Sequence, residues 1–161
     1  MTGENVDGAY DWLLSAIAYG VQSPDLPMRL DSNTMALPAV PESVKAARDF
    51  AGARLRAWGL AAMSEDVGLV VSELVTNALR YASQPPVDIG WETPFRLSLL
   101  RTGLQLTCAV TDPSDEMPVL RKTDFVAQTG RGLHLVEAFS DSWNWMALRE
   151  RGKIVWACFQ I

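Results

Sequence analysis

From residue 42 onward the chain switches between two hydrophobic periods. Over Glu42–Trp58, the apolar residues Val44, Ala47, Ala51, Leu55 and Trp58 recur every three or four positions, the spacing that lines one face of a helix. Gly59 stands where a left-handed helix stop is wanted. Ser64 is a favourable N-cap for a second helix, with Glu65 and Asp66 set against the positive end of its dipole. That helix runs to about Ala82, where Ser83-Gln84-Pro85-Pro86 breaks it. The period then becomes two. Phe95, Leu97 and Leu99 alternate with Arg96 and Ser98, Thr102-Gly103 turns the chain, and Leu104, Leu106, Cys108 and Val110 alternate with Gln105, Thr107 and Thr111. This predicts a hairpin with one buried face. A third helix over Gly132–Phe139 carries Leu133, Val136 and Phe139 on one side. Trp143–Leu148 and Ile154–Ile161 form a last hairpin around Arg149–Gly152.

The remainder is less periodic. Thr34–Leu37 reads as a short strand stopped by Pro38 and Pro41. Ala9–Val21 is apolar enough for a short helix, and Ser23–Pro27, with its two prolines, reads as a linker. Residues 1–33 are therefore expected to be an appendage and residues 34–161 the domain. Pro113–Thr129 mixes Asp, Pro, Arg and Lys without period, and loops of that length in a compact domain are usually functional. Helices and hairpins in separate blocks favour an α+β two-layer sandwich, a mixed and mostly antiparallel sheet with helices on one face, over a doubly wound sheet.

Composition narrows the functional classes. Of 161 residues, 48% are apolar and 20% charged, enough to bury a core and too ordered in composition for a disordered chain. The net charge of −5 argues against a dedicated nucleic-acid binder, which needs a basic face. No apolar run reaches the length of a membrane span, and Met1–Asp11 lacks a secretory pattern. Cys108 and Cys158 sit in strand-like runs as small hydrophobes, and His134 alone cannot build a His-rich metal site. A cytoplasmic domain is the expectation.

Three signals carry candidate chemistry. Glu73, Asn77 and Arg80 share one stripe of the second helix, opposite Val67, Val70, Val71, Leu74, Ala78 and Leu79. Most polar helix stripes are solvated surface, but Asn is a poor mid-helix residue and calls for a reason. Asp112 ends a strand and opens a loop through Pro113-Ser114-Asp115, where a carboxylate can accept from an exocyclic amine; a turn-initiating aspartate would look the same. Gly130-Arg131-Gly132-Leu133 leads into a helix whose first amides are open to an anion, although a tight structural turn shares that pattern.

In this order, the three signals resemble the GHKL, or Bergerat, ATP-binding fold shared by DNA gyrase, a heat-shock chaperone and histidine kinases. Ser72-Glu73-Leu74-Val75-Thr76-Asn77-Ala78 matches its N box, Asp112 heads its G1 box, and Gly130-Arg131-Gly132-Leu133 is its G2 box. The wording of Val71–Tyr81, Gly130–Val136 and Gly152–Ala157 is most similar to the anti-sigma-factor serine/threonine kinases, in particular their short actinobacterial regulators. The likeness covers about residues 34–161.

The resemblance implies ATP and Mg²⁺ as cofactors. It gives Asn77 the metal and Glu73 the activation of an attacking hydroxyl, with Arg80 near phosphate and Asp112 on the adenine amine. Ser114, Gly130, Arg131, Gly132, Leu133 and His134 complete the nucleotide-binding set, and residues 113–129, with Arg121 and Lys122, form a lid. It implies a sigma factor and a STAS-domain anti-anti-sigma protein as partners, without direct nucleic-acid or membrane contact, and leaves room for a homodimer. Two departures stand out. Pro113 and Ser114 replace the glycines usual after the aspartate, and Ile154 takes the place where many relatives carry a threonine on the last strand. They keep open a non-catalytic partner-switching module on the same fold, and more distantly a severed histidine-kinase catalytic domain.

Overall fold

The structure, a computed structural model, describes residues 30–81, 95–112, 131–148 and 152–161. The element order is β1 (Leu30–Leu37), α1 (Ser43–Ala57), a 3-10 turn (Ala61–Met63), α2 (Ser64–Tyr81), β2 (Phe95–Thr102), β3 (Gln105–Asp112), α3 (Arg131–Phe139), β4 (Ser142–Ala147) and β5 (Lys153–Gln160). The strands form one sheet in the order β1-β2-β3-β5-β4, and every neighbouring pair is antiparallel. The expected α+β sandwich is present, with no parallel pairing among the described strands.

Strand alternation decides which residues meet the helices. Leu97 and Leu99 of β2, Leu106, Cys108 and Val110 of β3, and Val155, Ala157 and Phe159 of β5 share one face. Against it close Ala47, Ala51 and Leu55 of α1, Val67, Val70, Val71, Leu74 and Ala78 of α2, and Val136 of α3. Each fully buried aliphatic side chain contributes on the order of 1.5–3 kcal/mol, so this interface holds the two layers together. Trp143 and Trp145 of β4 also pack against it, which gives them to the core rather than to a partner surface. Helix α1 ends as its sequence predicts. Gly59 adopts φ 73°, and the amides of Gly59 and Leu60 return to the carbonyls of Arg56 and Leu55.

Several local expectations are corrected. Strand β1 starts at Leu30, not Thr34, because it pairs with β2 along its whole length, Leu30 opposite Thr102. The added residues Asp31, Ser32 and Asn33 are polar and poor strand formers; Asn33 accepts from Arg54 at 3.2 Å, and further along the strand Thr34 bonds the Ser98 hydroxyl at 2.9 Å. Ser64 already has helical dihedrals (φ −61°, ψ −33°), since the 3-10 turn feeds directly into α2. Phe139 is 41% exposed at the end of α3, and Cys158 is only half-buried. The β2–β3 hairpin has two buried faces: Leu100 and Ala109 lie away from the helix layer and are as inaccessible as the core. The appendage with its helix over 9–21 and its linker, the break at 83–86 and most of the Arg149–Gly152 turn lie outside the described residues.

Candidate nucleotide site

Helix α2 owes its place to a continuous buried side, Val67, Val70, Val71, Leu74, Val75 and Ala78, none more than 4% exposed. That side packs on β3, β5 and the neighbouring helices. With it fixed, the stripe of Glu73 and Asn77 is left half-buried and Arg80 exposed. Partial burial pushes the Glu73 carboxyl above its ordinary value, and the positive charge of Arg80 pulls it partly back. A carboxyl so placed holds a proton more readily than a free glutamate, as suits a group that accepts one from a hydroxyl. Asn77 offers a neutral amide oxygen one turn away. A hard cation that keeps most of its waters and takes phosphate oxygens needs few such ligands, so this donor set fits Mg²⁺. Among the described residues no cluster of three or more His, Cys, Asp or Glu could hold a metal by itself.

Asp112 is the last residue of β3 and faces the helix layer, in phase with Cys108 and Val110. It is 5% exposed and does not stand alone there. The Nζ of Lys153, first residue of β5 and opposite Asp112 in register, lies 3.1 Å from its Oδ1 and 2.9 Å from its Oδ2. This revises the sequence reading. The residue beside the aspartate is Lys153, whereas Ile154 pairs with Thr111 and points to the other face of the sheet. One residue of strand phase makes the difference. Starting β5 at Lys153 rather than Ile154 puts the lysine in step with Val155, Ala157 and Phe159, the core-facing set. Gly152, buried with φ 88°, lets the backbone enter that strand at the required angle, and its carbonyl accepts from the Leu148 amide at 2.9 Å.

Helix α3 begins at Arg131, with Gly132 in its first turn, Leu133 buried at 5% exposure and His134 half-buried. Its packing against α2 brings the start of the Gly-Leu motif to the same layer as the Glu73–Asn77 stripe. Ser114, Gly130 and the expected lid over residues 113–129 lie outside the described residues, as does the side chain of Arg131. A separate cleft of about 470 Å³ opens on the α1 side of α2, lined by Ala39, Val40, Pro41, Val44, Thr76, Leu79 and Arg80. Arg80 thus borders that cleft as well as the polar stripe, while Glu73, Asn77 and Asp112 do not line it.

The family model described as the histidine kinase-like ATPase domain matches residues 37–159, from the end of β1 into β5. No curated protein matches the chain. The match contains the stripe of α2, the Asp112–Lys153 pair and the start of α3.

Proposed function

The chain belongs to the histidine kinase-like ATPase domain family, a family of ATP-binding domains, and from this we propose that it is an anti-sigma-type regulator. In this reading it binds ATP and Mg²⁺, sequesters a sigma factor, and phosphorylates a serine or threonine of a STAS-domain anti-anti-sigma partner. The observation that carries the reading is the half-buried Glu73–Asn77 stripe with its raised carboxyl.

Each residue then has a role drawn from its chemistry. Bound ATP with Mg²⁺ supplies the phosphoryl group and its charge neutralisation. Asn77 lends the metal its amide oxygen, and Glu73 takes the proton of the incoming hydroxyl. Asp112 accepts from the base amine. The first turn of α3, led in by Gly130, Arg131 and Gly132, presents amides to phosphate, with Leu133 anchoring that turn and His134 beside it. Arg80 adds positive charge at the end of the stripe. Ser114 and the segment to Thr129 belong to the closing loop. No helix of the described residues is long and apolar enough to cross a membrane.

One observation favours a second reading, a non-catalytic partner-switching module: the carboxylate that would take the base amine already holds the ammonium of Lys153. Labelled phosphate transfer to STAS-domain proteins of the same genome separates the two. The kinase reading expects transfer by the unaltered protein, loss of transfer with retained ATP binding in Glu73→Gln, and loss of both in Asn77→Ala. Sigma-factor binding with no transfer to any partner leaves the module.

A further inference from the structure

Only one face of the sheet meets the helices. Ser98 and Leu100 of β2, Ala109 of β3 and Ile154 of β5 point the other way, and each is 0% exposed. Among the described residues no helix lies on that side, and Leu100, Ala109 and Ile154 stand outside the core cluster that the sheet shares with α1, α2 and α3. Leu100 is the telling residue. The described side chains beside it are Ser98 and Thr102 along its own strand, with Ser32 and Thr107 across the ladders. All four are small and cannot by themselves close a leucine off from water. The cover is also narrow. At the edges of the same face, Ser32, Thr34 and Ala36 of β1 and Ser142, Asn144 and Met146 of β4 are exposed. What is shut off is the strip from β2 through β3 to β5, about 10 Å across, which is about the width of one helix.

We infer that this outer face is a docking surface, and that its occupant is the chain's own apolar segment Ala9–Val21, laid across β2, β3 and β5 as a helix. The burial arises within a single copy of the chain, so the chain's own residues supply the cover. The other stretches long enough are poorer candidates. Residues 113–130 carry Asp115, Glu116, Arg121, Lys122 and Asp124, and they join Asp112 to α3, both on the helix side. Residues 82–94 leave α2 on that same side and hold Pro85, Pro86 and Pro94, which forbid a continuous helix. Within Ala9–Val21, by contrast, Tyr10, Leu13, Leu14, Ile17 and Ala18 fall on one helical stripe. The strip they would meet is uncharged at Ser98, Leu100, Thr107, Ala109 and Ile154, so docking strands no ion. The dimensions agree. A helix of that length is about 20 Å long, and the diagonal from Leu100 to Ile154 is about 16 Å by strand rise and spacing. The chain enters the sheet at Leu30, opposite Thr102 and beside the covered strip, and residues 22–29 can reach about 26 Å from there. The family match begins at residue 37, so this cover is an addition to the domain and is independent of its phosphate chemistry.

Cys158 supplies the probe. It lies on the outer face, opposite Thr107, and is only half-buried at the margin of the strip, whereas Cys108 is buried on the helix side. A benzophenone maleimide is attached to Cys158 of the full unaltered chain and photolysed, and the joined peptides are mapped by mass spectrometry. The expected product joins Cys158 to residues 9–21 of the same copy. A link to residues 82–94 or 113–130 instead overturns the inference, because an internal connection is then the cover. A linked dimer overturns it in favour of a second copy, and no link beyond the neighbouring strands overturns it by leaving the face open. A second measurement uses Leu13→Asp combined with Ile17→Asp, which sets two carboxylates in the stripe. Maleimide labelling of Cys158 is expected to speed up on the order of tenfold, as for a thiol whose local protection is lost, while Cys108 stays unlabelled. An unchanged Cys158 rate overturns the inference. If Cys108 labels too, the variant has unfolded and the cross-link map of the unaltered chain decides.

Discussion

Asp112 and Lys153 are cross-strand partners whose carboxylate and ammonium meet at 2.9 Å with almost no exposure to solvent. Such a pair is a poor source of net stability and an expensive thing to halve, because removing one charge strands the other in a medium that cannot solvate it. Lys153→Met is therefore expected to cost about 3–5 kcal/mol, read from urea unfolding. The double change Asp112→Leu with Lys153→Met removes both charges at similar volume and is expected to recover most of that loss. A single-variant cost below about 1 kcal/mol, in the range of surface pairs, would show that water reaches the pair in solution.

Two glycines give opposite expectations under the same substitution. Gly59 holds φ 73° with open space around its missing Cβ, so Gly59→Ala meets no clash and still strains the backbone. It should lower stability by about 1 kcal/mol. Gly68 lies inside α2, where an added Cβ would meet the Cγ of Arg48 at 3.4 Å, an ordinary contact with a flexible side chain. Gly68→Ala should raise stability by about 0.5–1 kcal/mol, because alanine loses less backbone freedom in a helix. Thermal midpoints of the two variants, moving in opposite directions, check both.

The two thiols should differ in reactivity. Cys108 faces the helix layer, and burial, with a smaller contribution from Cys158, pushes its thiol far above the usual range. The nucleophile is the thiolate, so Cys108 should resist maleimide until the protein unfolds. Cys158 is half-buried on the opposite face, its sulfur 3.6 Å from the Thr107 hydroxyl, and should label in the native state. Stoichiometric labelling of one thiol in native buffer and two in denaturant is the expected result; two native labels would contradict the burial of Cys108.

Legibility in the sequence tracked the strength of periodicity. The apolar residues of α1 and α2 recur at helical spacing because one side of each helix is buried, and Gly59 marks where α1 stops. The β2–β3 hairpin was readable from alternation. Its second buried face was not, since Thr107, Ala109 and Thr111 are small or polar and look like solvent positions. Strand β1 reads short in the sequence for a related reason: Asp31, Ser32 and Asn33 are poor strand formers, which pairing with β2 overrides. The stripe of Glu73, Asn77 and Arg80 could be placed from spacing alone. Lys153 could not, because a lysine before an apolar run reads as a flanking charge. Only the register with Asp112 turns it inward.

Glu73 offers a test in which stability and chemistry move in opposite directions. Burial raises its carboxyl above the ordinary carboxylate value, with Arg80 acting against the shift. Between the ordinary and the raised value the folded protein binds more protons than the unfolded chain. This contribution to stability is therefore fully present below the ordinary value and is lost as pH rises through the raised one. Glu73→Gln has no such loss, so its advantage over the unaltered protein should grow as pH is brought from about 4 towards neutrality, followed by thermal melting. The same variant lacks the proton acceptor and should lose phosphate transfer by about a hundred- to ten-thousand-fold. In the unaltered protein, transfer should fall as pH drops through the raised value, and Arg80→Ala should move that acid limb to higher pH by removing the charge that opposes the shift. A merely structural glutamate would give neither result: its replacement would leave the acid limb in place, and Arg80→Ala would not move it.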